Sequence, residues 1–115
     1  MSRAEYNAAL ADDPAASRCS EHAAMIKLID LLGAAGAPTA SPRMGAIAAY
    51  NLNAVWSALI EDLASPANDL ATEIKAKLIS IGIHMISKAD EIRLGRKPDL
   101  EPLREIHQII ADGLK

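Results

Sequence analysis

The chain has no phenylalanine, one tryptophan, two tyrosines and one cysteine in 115 residues, and Val55 is its only valine. So few aromatic and valine positions argue against a sheet-based core. The lone cysteine, Cys19, has no internal disulfide partner, so nothing points to an oxidising compartment. Gly33 and Gly36 lack both a preceding strand and a following lysine, which excludes a phosphate loop of the Walker or dinucleotide type. Nor is there a basic excess. The formal net charge is −3 with a pI near 5.5, and a protein that grips a phosphate backbone is ordinarily more basic. Long apolar runs are also missing. The most apolar stretch, LISIGIHMI at 78–86, is interrupted by Ser80 and His84 and falls well short of the roughly 20 residues that span a bilayer. The opening MSRAEYNAALADDP mixes in acidic residues and does not resemble a secretory signal. A cytoplasmic protein with no membrane segment is expected.

Alanine, leucine and isoleucine fill the space left by those absences, a composition suited to helices that pack closely on small side chains. The length fits a single domain over 1–115. Asp13-Pro14 is a cap followed by a proline suited to the first helical turn. It predicts a helix to about Ala35 with Met25, Leu28, Ile29 and Leu32 on one face. A short extra helix through Tyr6 and Leu10 is possible before it. After the breaker-rich GAAGAPTASP, Ser41-Pro42 starts a second helix to about residue 64, with Ala48, Leu52, Val55, Trp56, Leu59 and Leu63 in one broad stripe. Ser65-Pro66 ends it. A third helix is predicted from Leu70 or Ala71 to Leu94, with Gly95 just beyond its end. Ile74, Leu78, Ile81 and Met85 form one stripe along it, and Ile79, Ile83 and Ile86 form another. That breadth of apolar surface predicts the third helix as the centre of the fold. A last helix follows Asp99 and carries Leu103, Ile106, Ile110 and Leu114. The expected fold is an all-α small helical bundle of four main helices.

Chemistry is hard to find in this pattern. His22, His84 and His107 fall on three different helices, and Cys19 with His22 makes one isolated close pair, against about four ligands for a structural zinc site. The acidic pairs Asp12-Asp13, Glu61-Asp62 and Asp90-Glu91 are adjacent in sequence, so on a helix their side chains diverge. No nucleophile motif is present. The expectation is a protein that is not an enzyme and has no cofactor and no metal. Lys88, Arg93, Arg96 and Lys97 form the most basic cluster, which cations near a helix C-terminus explain without any nucleic-acid partner.

Several residues in fixed order resemble the FlaF family, flagellar biosynthesis regulators of alphaproteobacteria. They are Tyr6, Asp13-Pro14, Asn53, Trp56, Asp62, Pro66, Asn68 and Leu70, then Ile79-Ser80-Ile81-Gly82-Ile83, Gly95, Leu103, Ile106, Ile110 and Gly113-Leu114. The resemblance spans nearly the whole chain and is most specific from Asn51 to Leu114. Three positions depart from the family pattern: His84 stands where a second tryptophan is common, Ala71 where proline is, and His107 where asparagine is. The resemblance implies a cytoplasmic accessory protein that binds flagellin as a chaperone, supports its synthesis, secretion and filament assembly, and acts opposite FlbT on flagellin expression. An alternative is regulation through flagellin messenger RNA or FlbT without chaperoning. Self-association through an apolar stripe is a third expectation.

A helical bundle can receive an amphipathic helix of flagellin in an apolar groove. The candidate contact residues are Trp56, Leu59, Leu63, Asn68, Ile79, Ile83, His84 and Met85. Two readings of Trp56 stand: a core plug between the second and third helices, or an anchor at the groove's edge. Asn68 divides the same way, between a residue that caps the start of the third helix and a partner contact.

Overall fold

The computed structural model describes residues 14–113, with side chains from residue 21 onward. The expected early helix through Tyr6 and Leu10, the Asp13 cap, the Cys19 side chain and Leu114 lie outside the described residues. Four helices follow one another, with no strand among the described residues: α1 Pro14–Ala35, α2 Pro42–Ala64, α3 Thr72–Arg93 and α4 Glu101–Gly113. They form a small all-α bundle.

Each boundary follows from local chemistry. Ser41 holds the N-cap position of α2 in an extended conformation without a side-chain capping bond, and Pro42 removes one of the donors that such a bond would serve. α3 begins at Thr72, one or two residues later than the sequence predicts, with the Lys75 N–H bonding back to the Ala71 carbonyl at 3.0 Å. Its other end is a Schellman turn. Arg96 N–H reaches the Glu91 carbonyl at 2.9 Å, Gly95 N–H reaches that of Ile92 at 3.1 Å, and Gly95 has φ +82°, a conformation that a residue with a Cβ adopts only under strain. Asp99 accepts the Glu101 N–H at 3.1 Å and so precedes α4 as a turn residue.

The core is built by Met25, Leu28, Ile29 and Leu32 of α1, by Ala48, Ala49, Leu52 and Trp56 of α2, by Met85 and Ala89 of α3, and by Leu103 and Ala111 of α4. The predicted stripes of α1 and α2 therefore face inward. α1 and α2, not α3, form the central pair: they pack against each other, while α3 rests chiefly on α2 and α4 on α1. The sequence-based expectation of a central third helix fails because apolar circumference is not the same as having neighbours. α3 buries only Gly82, Met85 and Ala89, all on one side, whereas α1 and α2 each have two helical neighbours.

Candidate partner-binding surface

The junction at Trp56 is closed. Trp56 is 1% exposed, and its indole N–H donates to Nε2 of His107 at 2.8 Å. The other ring nitrogen of His107 lies 2.7 Å from the Leu103 carbonyl. One neutral tautomer, with the proton on Nδ1, satisfies both bonds. Burial holds the His107 pKa below its ordinary 6.5, partly opposed by the Leu103 carbonyl. The two rings meet edge to face, with centroids 5.8 Å apart. On the third side is Gly82, where an added Cβ would come within 2.8 Å of Ile60 Cδ1 and 3.0 Å of Trp56 Cε3. Glycine is what lets α3 close onto α2 there.

The eight candidate residues therefore divide. Trp56, Met85 and Leu63 are buried. Leu59 is half-buried and lines a hollow of about 410 Å³ between α1 and α2, beside Met25, Val55, Glu21 and Asp62. Burial, then the nearby Asp62, raises the Glu21 pKa. Asn68 organises the α2–α3 loop: its Oδ1 accepts the Leu70 N–H at 3.0 Å, its Nδ2 donates to Asp62 at 3.1 Å, and its carbonyl takes Lys75 Nζ at 2.6 Å. His84 is exposed on the solvent side of α3. Ile83 is 61% exposed, flanked on the same face by the half-buried Ile79 and Ile86. Of the eight, Ile79 and Ile83 are thus the pair that share an accessible apolar stripe.

Sequence reasoning overlooked two features. His107 occupies an inward position of α4, in step with the buried Leu103 and Ala111, and counting only large apolar residues passed over that spacing. The other is a cleft of about 1250 Å³ where the breaker-rich connections meet. Its lining includes Gly36, Gly45, Ala49, Tyr50, Arg96 and Lys97. It joins segments far apart in the chain, which periodicity cannot bring together.

Among the described residues no group of three or more histidine, cysteine, aspartate or glutamate side chains gathers as a metal site, and no helix is long and apolar enough to cross a membrane. No curated protein and no solved structure gave a significant match. The family model described as flagellar protein FlaF matches residues 2–114. Nearly the whole chain is covered, and the chain belongs to the FlaF family of flagellar proteins.

Proposed function

We propose that this chain is a cytoplasmic accessory protein that binds flagellin, holding a helical segment of the subunit against α3 before filament assembly. In doing so it supports flagellin synthesis and secretion. The observation that carries this reading is the apolar stripe of Ile79, Ile83 and Ile86, on a helix that rests chiefly on one neighbour. The first half of α3 contributes no fully buried side chain. An amphipathic helix laid on such a face buries apolar area on both partners. If the segment orders only on binding, the ordering cost keeps the complex releasable.

Calorimetric titration tests this with monomeric flagellin and with flagellin lacking its terminal helical segments. Binding in the micromolar range or tighter, lost on truncation, is the expected result. Absence of binding to either form would move the role to FlbT or to messenger RNA, for which the unpaired cations Arg96 and Lys97 are the natural contacts. A mobility shift that persists at about 0.2 M salt would then identify RNA.

A further inference from the structure

The stripe around the exposed Ile83 does not stop at Ile86, which is half-buried against the core. Ile79, Ile83, Ile86, Asp90 and Arg93 follow steps of four, three, four and three, so they share one face of α3. Asp90 and Arg93 line the cleft between the helix ends. From Ile79 to Arg93 the track is roughly 21 Å long, about four helical turns. Gly36, Gly45 and Ala49 are among the cleft's lining, and such small residues let another backbone come close.

The charge at the far end leans positive. Asp90 pairs with Arg93 at 3.4 Å and Glu101 binds Arg104 Nε at 3.0 Å, while Asp99, which accepts the Glu101 N–H, offsets only one of the two remaining cations. Among the described residues Arg96 and Lys97 make no ion pair. Two free cations thus stand at the end of an apolar track, at the mouth of the cleft.

We propose that this track takes one amphipathic helix in a fixed direction, with its C-terminal turn, bearing carboxylates, seated at Arg96 and Lys97. This rests on the reading of the Ile83 stripe as the docking face. A helix C-terminus presents unsatisfied carbonyls and a partial negative charge, so the cations favour that end over the N-terminus. Carboxylates in a last turn disfavour the helix in isolation. Docking against Arg96 and Lys97 removes that penalty and makes the acidic end the one that gains most.

The test uses two synthetic amphipathic peptides about 16 residues long, to match the track. They have identical composition and blocked ends, with leucines in one stripe and the glutamates either in the last turn or in the first. Each is titrated at low salt into the native protein, into Arg96→Glu/Lys97→Glu and into Ile83→Asp, with thermal melting confirming that each variant is folded. The expected result is that the peptide with its acids last binds about fivefold tighter, that the double charge reversal removes this preference, and that Ile83→Asp abolishes binding of both. Equal affinity for the two peptides, still abolished by Ile83→Asp, would overturn the direction while leaving the docking face intact. Binding that Ile83→Asp leaves unchanged would overturn the docking face and the track with it, as would no binding of either peptide.

Discussion

Gly82 and Ile83 are neighbours in the chain and sit in opposite surroundings. Gly82 is pressed against Trp56 and Ile60 with no room for a methyl group, while Ile83, one residue on, is 61% exposed. One side of α3 is a junction in which every polar atom of Trp56 and His107 has a partner. The other side is an apolar stripe of which Ile83 is the open member, between the half-buried Ile79 and Ile86. The contrast shows why residue type alone misassigns roles here: the largest side chain in the protein belongs to the core, and a smaller one marks the candidate docking face. It also separates two kinds of mutational effect.

The largest expected effect breaks the closed side. Trp56→Ala empties the centre of the bundle and strands His107 Nε2, and should lower the unfolding free energy by about 3–5 kcal/mol. Urea titration followed by circular dichroism measures it, and a loss below about 1 kcal/mol would place Trp56 outside the core. Next comes the histidine. Its folded pKa lies below 6.5, so near and below that pH the unfolded chain takes up a proton that the folded chain resists. Stability should be level above that range and fall as the pH drops through 6.5 towards the folded value. His107→Asn keeps an acceptor for the Trp56 N–H without a titrating group, and should flatten this dependence in melts between about pH 7 and about pH 5. If both proteins show the same slope, the proton is taken up elsewhere.

Gly82→Ala is a smaller perturbation with two opposed terms. Alanine gains about 1 kcal/mol of helix propensity over glycine, while overpacking against the indole ring costs about 1–3 kcal/mol. The ring cannot yield as the tip of Ile60 can, so a net loss of about 1 kcal/mol is expected, and a gain in melting temperature would mean that the α2–α3 contact is looser than its geometry. Least of all in stability should be Ile83→Asp, within about 0.5 kcal/mol of the native protein in the same urea experiment, because that side chain is mostly in water already.

Much of the fold was legible from spacing and punctuation. Proline after Ser41, proline after Ser65 and glycine at 95 mark boundaries within a residue or two, because caps and breakers act locally. The inward stripes of α1 and α2 were legible for the same reason: Met25, Leu28, Ile29 and Leu32 share a face in any helix of that register. Which helix lies at the centre was not, since it depends on how alanines and Gly82 permit close approach between segments distant in sequence. The candidate contact set mixed both sides of α3 because Met85 and Ile83 are equally apolar, and only the position of α2 separates them. The pairing of Trp56 with His107, 51 residues apart, carries no local signal beyond the inward position of the histidine.

The most direct test of the division between closed junction and open stripe is the affinity of folded Ile83→Asp for monomeric flagellin, measured by calorimetry beside the native protein. A loss of at least about tenfold, the cost expected from placing a carboxylate in an apolar contact, is the predicted result. An affinity equal to that of the native protein would contradict the account and move the docking site off this face of α3.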